Sequence, residues 1–186
     1  MADVPRALDP PDAALVARAR REDAAAFAAL VRRYYEASMR YATRVLAHRE
    51  DAEDAVQETW LRVHRALGAY RERDVFEHWL FRILLNACRS ISARRSRDAR
   101  RFPMRTDDAP DVAANASPEG TDRQMFDALL AGLDLRTREA LLLRHGRGFG
   151  YIEMAAVTGD SVSALKMRVK RGLDSLRPRL LREGEP

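Results

Sequence analysis

Apolar residues recur every three to four positions in most segments of this 186-residue sequence, and no segment alternates between apolar and polar residues as a half-buried strand does. Residues 12–47 show this helical spacing without a glycine or proline to interrupt it. No internal repeat is visible. The sequence therefore predicts an all-α fold, in which each helix buries one apolar stripe.

A change of composition divides the chain in two. Residues 102–120 contain three prolines, several aspartates and alanines, and no hydrophobic period, which is typical of a flexible linker. We expect an N-terminal helical domain at 12–101 and a smaller C-terminal domain at 121–181, with loose tails at 1–11 and 182–186. Two domains of this size are modestly stable alone.

The C-terminal domain contains two helix patterns separated by a turn pattern. Between Tyr151–Thr158 and Val162–Leu176 lies Gly159-Asp160-Ser161, which supplies a residue tolerant of positive φ and two residues able to cap a helix. This layout predicts a helix-turn-helix whose second helix enters the major groove of DNA. The alternative is an ordinary helical hairpin with a solvated basic face. The predicted buried stripe of the second helix is Val162, Leu165, Val169, Leu173 and Leu176.

Residues 50–67 predict a polarised helix with its acids concentrated in the first half. Five acids lie between Glu50 and Glu58, more than compensation of the helix dipole requires. The excess favours a docking surface for a basic protein partner, and the alternative is a well-arranged surface helix. The outer face of this helix carries Asp51, Asp54, Gln57, Glu58 and Arg62.

Residues 76–101 predict one long helix with an apolar stripe and an arginine-rich face. An aromatic ring, an amide and successive guanidinium groups on one face can stack on unpaired bases and hold phosphates. Core packing of Trp79 stays an equal alternative, and the terminal arginines are alternatively a frayed, solvated helix end. The face consists of Trp79, Arg82, Asn86, Arg89, Ser90, Arg94 and Arg97.

Composition limits the function classes. The net charge of +5 and the pI near 9.9 suit a polyanionic partner. A single cysteine, Cys88, excludes an internal disulfide and is expected to be buried. The four histidines have no metal-ligand spacing, and no nucleophile–base pair or phosphate loop is visible. We therefore expect no metal, cofactor, small-molecule substrate or enzymatic activity, and a cytoplasmic protein that does not insert into the membrane.

From about Asp12 to Arg179 the chain resembles the extracytoplasmic-function (ECF) sigma factors, the two-domain specificity subunits of bacterial RNA polymerase. The resemblance implies binding to core polymerase, promoter-specific initiation by reading the −10 and −35 elements, and assistance with promoter melting. The alternative function is that of a polymerase-independent helix-turn-helix regulator. Four stretches carry the resemblance: EDAAAFAALVRRYY at 22–35, REDAEDAVQETWLRVHRAL at 49–67, FEHWLFRILLNACRSISARR at 76–95, and LDLRTREALLLRHGRGFGYIEMAAVTGDSVSALKMRVKRGLDSLR at 133–177.

The resemblance also implies a role for each surface. The surface that docks on the clamp helices of the polymerase beta-prime subunit would be Asp51, Asp54, Gln57 and Glu58. The residues that read and open the −10 element as single-stranded DNA would be Tyr70, Trp79, Arg82, Asn86, Arg89 and Arg94. The residues that read the duplex −35 element would be Ser163, Lys166, Met167, Arg168, Lys170 and Arg171.

Three further expectations come with the resemblance. Arg168 flanks the buried stripe, so we expect a phosphate contact or a salt bridge from it rather than base readout. The acidic linker would thread through polymerase between the two domains. An anti-sigma protein, often membrane-anchored in this family, would cover the same surfaces and hold the chain at the inner membrane.

The C-terminal domain departs from the family pattern at Gly146, Gly150, Asp160 and Gly172. Asp160 stands where an apolar residue normally fills the turn, and Gly172 interrupts the reading helix at a cost of about 1 kcal/mol relative to Ala. We therefore expect Asp160→Ile and Gly172→Ala to stabilise this domain. Asp134 is the expected N-terminal cap of the helix that follows it.

Overall fold

The computed structural model describes residues 10–71, 75–101 and 121–183. Every regular element within these ranges is helical, which confirms the all-α prediction. The predicted linker at 102–120 lies outside the described residues. The α-helices of the described ranges are α1 (Asp12–Ala19), α2 (Ala24–Leu46), α3 (Arg49–Ala66), α4 (Phe76–Arg101), α5 (Thr121–Ala131), α6 (Leu135–Leu141), α7 (Tyr151–Thr158) and α8 (Val162–Glu183).

Side chains fix the start of the N-terminal bundle formed by α1–α4. The Asp12 carboxylate accepts hydrogen bonds from Arg33 and Tyr34 of α2, which ties the two helices together. Asp23 caps α2, because its Oδ1 accepts from the Ala26 N–H at 3.0 Å. A 3₁₀ turn at Leu67–Ala69 closes α3. The predicted inner face of α3 is buried, at Ala52, Ala55, Val56, Thr59, Trp60, Val63 and Leu67.

Helix α4 is buried along more of its circumference than the sequence predicts. The expected stripe from Phe76 to Ile91 is buried, apart from the half-buried Ile83. A second row at Phe81, Leu85 and Cys88 is fully buried as well, because α4 packs against α3 on one side and against the C-terminal domain on the other. The burial predicted for Cys88 is confirmed, and it raises the pKa of the thiol far above its ordinary value.

The C-terminal domain contains α5–α8 and the predicted helix-turn-helix. Gly159 occupies the left-handed region at φ +77°, and Ser161 Oγ accepts from the Ala164 N–H at 3.2 Å at the start of α8. The expected cap of α6 is also present, since Asp134 Oδ1 accepts from the Thr137 N–H at 3.1 Å. A π-helical turn at Leu142–Gly146 follows α6.

One position in the predicted stripe of α8 is wrong. Leu165, Val169 and Leu176 are buried as expected and Val162 is half-buried, but Leu173 is 44% exposed and Gly172 is buried in its place. A Cβ at Gly172 would lie 2.7 Å from Leu141 Cδ1. Any residue other than glycine would therefore require the Leu141 and Thr137 side chains of α6 to shift.

The expected gain from Asp160→Ile is also opposed by the structure. Asp160 Oδ2 accepts from Arg168 Nη1 at 2.7 Å, and both side chains are about three-quarters buried. We expect Asp160→Ile to lower the free energy of unfolding by about 0.5–1 kcal/mol, because the Arg168 guanidinium loses its partner. Denaturant melts of Asp160→Ile, Arg168→Met and the double variant give the coupling energy. A coupling of zero, or a stabilised single variant, contradicts the role of this ion pair.

A buried arginine joins the C-terminal domain to the N-terminal one. The Arg138 side chain of α6 is 8% exposed and donates to the carbonyl of Val45, at the end of α2, at 2.6 Å. It also donates to three carbonyls around the end of α5, at 2.6–2.8 Å. Carbonyls at a helix C-terminus lack the next turn of N–H donors, so Arg138 supplies donors to two helix C-termini at once, although the Leu130 carbonyl also accepts from the Leu133 N–H at 3.0 Å. The carbonyls around the end of α5 belong to Leu130, Ala131 and Leu133.

Candidate protein-docking and nucleic-acid interfaces

A groove of about 560 Å³ runs between α3 and α4. One wall carries the acidic residues predicted for docking, and the other carries basic residues from the second half of α4. Leu61 lies between them with 46% of its surface exposed, although it was not among the predicted docking residues. The groove thus combines charge with an apolar contact. Its polar lining includes Asp54, Gln57, Glu58, Arg62, Ser90, Arg94 and Arg97.

The four predicted docking residues differ in their exposure and in their contacts with other side chains. Asp54 and Gln57 are exposed, and Asp54 forms no ion pair within the described part of the chain. Glu58 accepts from Arg62 Nε at 2.7 Å, one turn along the same helix. Asp51 is instead bound to Arg95 of α4 at 2.9 Å. Asp54, Gln57 and Glu58 therefore line the groove, while Asp51 joins α3 to α4.

The aromatic residues predicted to bind the −10 strand lie together at the start of α4. The Tyr70 and Trp79 ring centroids are 4.9 Å apart, and the Trp79 ring is 5.8 Å from that of Phe76. Tyr70 is 7% exposed, whereas Trp79 is half-buried against the core. The structure thus brings these two residues together as one aromatic cluster. Trp79 is packed against the core and partly exposed, and its binding to unpaired bases stays a prediction.

The remaining four residues of this predicted surface separate into two pairs. Asn86 and Arg94 are exposed. Arg82 and Arg89 are directed at the C-terminal domain: Arg82 Nε donates to the Ala156 carbonyl at 2.9 Å, and Arg89 makes hydrogen bonds of 2.8–3.1 Å to the Glu139 carboxylate. Sequence periodicity gives no indication of this difference, because all four residues lie on the same predicted face.

Glu139 of α6 is the acid at the centre of this contact. It is 1% exposed, and burial raises the pKa of its carboxyl, while the hydrogen bonds and charge of Arg89 act in the opposite direction. A second arginine, Arg136, lies 3.9 Å from the same carboxylate. Glu139 is absent from the predicted site residues, since an acid on a short amphipathic helix gives no sign that it will be buried.

The face of α8 predicted to read the −35 element is largely open. Ser163, Lys166, Lys170 and Arg171 are exposed, and Met167 is 48% exposed. Lys166 Nζ lies 5.8 Å from the centre of the Tyr151 ring on α7. Arg168 is the exception, because it is bound to Asp160. Of the two contacts expected for Arg168, the structure therefore shows the salt bridge.

Two family models match the chain. Sigma-70 region 2 matches residues 30–101, and Sigma-70 region 4 matches residues 123–176. The first match covers most of α2 together with α3 and α4, and the second covers the helix-turn-helix. No helix in residues 10–71, 75–101 and 121–183 has both the length and the apolar character required to cross a bilayer.

Related proteins match both domains. RNA polymerase sigma factor NccH of Alcaligenes xylosoxydans xylosoxydans is 33% identical over 168 residues, which cover 86% of this chain and 89% of NccH. The sigma factor RpoE of Bartonella quintana, solved in complex with the anti-sigma factor NepR, is 27% identical with a TM-score of 0.74, covering 86% of this chain and 98% of RpoE. CnrH, solved with the cytosolic domain of CnrY, is 29% identical with a TM-score of 0.68, covering 94% of this chain and 99% of CnrH.

An N-terminal helical domain that matches Sigma-70 region 2, followed by a helix-turn-helix domain that matches Sigma-70 region 4, makes this chain a sigma factor of bacterial RNA polymerase. Sigma factors are DNA-binding initiation factors rather than enzymes. Within that class, the chain belongs to the extracytoplasmic-function (ECF) sigma factors, which direct transcription initiation.

Proposed function

We propose that this sigma factor binds core RNA polymerase through the α3–α4 groove and directs it to a bipartite promoter. The α4 face would capture and help to melt the −10 element, and the α8 face would read the −35 element as duplex DNA. The observation that carries the proposal is the pair of exposed surfaces: Asp54, Gln57 and Glu58 line a groove beside the exposed Leu61, and Lys166, Lys170 and Arg171 are exposed on one face of α8. Action with RNA polymerase places the protein in the cytoplasm.

The groove supports a protein partner rather than DNA. Asp54 and Glu58 would repel phosphates, and Leu61 offers apolar contact area that a helix of the beta-prime clamp can cover. Since Asp54 and Gln57 are exposed, they can bind a basic partner without first breaking a contact within the described part of the chain. Arg97 on the far wall would meet an acidic residue of a mixed-charge helix.

Helices α8 and α4 would bind different forms of the promoter DNA, duplex and single-stranded. On α8, Lys166, Lys170 and Arg171 supply phosphate contacts and base contacts in the major groove, where Lys and Arg pair with guanine. On α4, the partly exposed Trp79 ring and the arginines suit unpaired bases and their phosphates. Each contact is weak alone. Attachment of both domains to one polymerase raises the effective concentration of the second contact.

Reversing charge in the groove tests this proposal. We expect the double variant Asp54→Lys/Glu58→Lys to bind core polymerase at least about tenfold more weakly, because two favourable charge pairs become repulsive at the interface. Fluorescence anisotropy of the labelled sigma factor titrated with core enzyme gives the affinity. Run-off transcription from the promoter of its own operon should fall in parallel.

The matched control changes the same charge on the same helix outside the groove. Glu50 and Glu53 are exposed on α3 and do not line the groove, so Glu50→Lys/Glu53→Lys should leave the affinity for core polymerase within about twofold. Equal weakening by both double variants would mean that net charge, and not this groove, governs the association. Wild-type protein that supports no initiation above core enzyme alone would refute the proposed function.

An inhibitory protein partner is the remaining element of the proposal. The solved relatives RpoE and CnrH were captured with NepR and with the cytosolic domain of CnrY. We infer that this chain is likewise bound by an anti-sigma protein that covers its polymerase-binding and DNA-binding surfaces. Co-expression with the products of the neighbouring genes should yield one that suppresses run-off transcription and co-purifies at a fixed ratio.

A further inference from the structure

The C-terminal domain presents oxygen atoms to the two arginines of α4 that are predicted to hold the −10 strand. Glu139 offers both carboxylate oxygens to Arg89 at 2.8–3.1 Å. The last turn of α7 adds the Ala156 carbonyl to Arg82 at 2.9 Å and the Thr158 carbonyl to Arg89 at 3.3 Å. Carbonyls at a helix C-terminus carry partial negative charge.

This arrangement has the chemistry of a phosphate contact. Arginine binds carboxylate and phosphate through the same planar pair of N–H donors, so the two ligands exclude each other on one guanidinium group. Arg89 is about four-fifths buried, its Nε and Nη2 donate to Glu139, and its Nη1 donates to the Thr158 carbonyl at 3.3 Å. A DNA phosphate can therefore reach Arg89 only after the C-terminal domain has moved away.

We infer that the C-terminal domain is an internal competitor of the −10 strand: the Glu139 carboxylate and the end of α7 occupy Arg82 and Arg89 in the free protein. The inference rests on the proposed role of this α4 face in binding single-stranded DNA. Opening of the two domains, which binding to core polymerase would supply, exposes the arginines. The free sigma factor is thereby prevented from binding single-stranded nucleic acid before it joins polymerase.

Two other charge pairs hold the domains together without involving the predicted DNA-binding residues. Glu77 of α4 is ion-paired with Arg147, whose guanidinium also lies 5.0 Å from the centre of the Phe81 ring. Arg44 of α2 is bound to Asp127 of α5 at 2.9 Å. Substitutions in these pairs can therefore separate the two domains without changing Arg82 or Arg89.

Apolar packing beneath these pairs gives the closed arrangement a defined geometry. The Phe149 ring, just before α7, contacts Phe81 and His78 of α4 with centroid distances of 5.7 and 4.8 Å. His78 Nε2 also lies 3.6 Å from the Glu153 carboxylate on α7. By contrast, the basic face of α8 is exposed in the same arrangement, so the domain contact involves Arg82 and Arg89 and leaves that face open.

A charge swap in the full-length protein tests the inference. Arg147→Glu places a second carboxylate next to that of Glu77, and the repulsion should separate the two domains. Adding Glu77→Arg restores the ion pair with its charges exchanged and should bring the domains together again. Dyes on introduced cysteines at the exposed positions Arg32 and Asp174 report the opening by energy transfer, since the native Cys88 is buried and is not labelled. The DNA probe is a fluorescent single strand of about 12 nucleotides of mixed sequence, within the usual site size for such binding.

We expect Arg147→Glu to lower energy transfer and to tighten binding of the single strand at least about threefold. Tighter binding of the single strand would be informative, because Arg147→Glu removes positive charge and a loss of positive charge by itself weakens DNA binding. The double swap should restore most of the energy transfer and the weaker binding. In the Arg147→Glu background, Arg89→Gln should remove the gain, whereas Arg21→Gln, an exposed arginine beyond α1, should not.

The outcomes separate the two proposals. Unchanged energy transfer in Arg147→Glu would overturn the closed arrangement, and opening without tighter binding would overturn the competition with DNA. Failure of the wild-type protein to initiate transcription with core enzyme would refute the proposed function, and that assay is independent of domain opening in the free protein.

Discussion

Arg138→Met is expected to lower the free energy of unfolding by about 3–5 kcal/mol, because it removes the donor of a buried hydrogen-bond network. The guanidinium donates to four backbone carbonyls, one from the end of α2 and three from the end of α5. Methionine fills a similar volume but removes the Arg138 donors from all four carbonyls, of which Leu130 keeps the Leu133 N–H at 3.0 Å. Each buried acceptor left unpaired costs about 1–3 kcal/mol.

Chemical denaturation monitored by circular dichroism measures this loss. The control is Arg136→Met, two residues earlier on α6, where about half of the side chain is exposed and the nearest acid lies 3.9 Å away. We expect that variant to change stability by less than about 1 kcal/mol. Similar losses in both variants would show that Arg138 acts through charge alone, and no loss at Arg138 would show that water replaces its hydrogen bonds.

Gly172→Ala is expected to destabilise the protein by about 2 kcal/mol, opposite in sign to the expectation from helix propensity. The new Cβ would lie 2.7 Å from Leu141 Cδ1 and 2.8 Å from Thr137 Cγ2. Both side chains are buried and cannot withdraw without disturbing the contact between α6 and α8. Overpacking of this kind costs about 1–3 kcal/mol and outweighs the gain of about 1 kcal/mol in propensity.

Thermal and denaturant melts test this prediction, with Leu173→Ala as the control. Leu173 is the next residue on α8 and is largely exposed, so its truncation should be nearly neutral. Thr137→Ser removes the Cγ2 atom that an alanine would strike, and should recover part of the loss in the Gly172→Ala background. A higher melting temperature for Gly172→Ala alone would show that α6 can move away from α8.

The secondary structure was largely predictable because its signals are local. The bounds of α4 and α7 coincide with the predicted 76–101 and 151–158, and α3 differs from its predicted bounds by one residue at each end. Periodicity, capping side chains and the glycine of the turn act within a few residues of one another. The helix end predicted at Leu176 is too early, because α8 continues through Pro178 to Glu183.

The candidate surfaces were predictable only in part. Asp54, Gln57 and Glu58 are grouped in a groove, and Lys166, Met167, Lys170 and Arg171 form an exposed face, as their spacing indicates. Whether each of these residues binds polymerase or DNA stays a prediction. Asp51 and Arg168 fall on the predicted faces but are bound to Arg95 and Asp160, because spacing assigns a face and does not identify the neighbour across it.

The sequence by itself determined the helices, the turn of the helix-turn-helix and the sign of charge on each face, since these depend on residues three or four positions apart. Only the tertiary structure decided which arginines are exposed and which are bound to groups distant in the chain. Arg89 meets Glu139 from 50 residues away, and Arg138 meets the Val45 carbonyl from 93 residues away. Such contacts depend on how the two domains pack together, and that packing leaves no periodic signal in the chain.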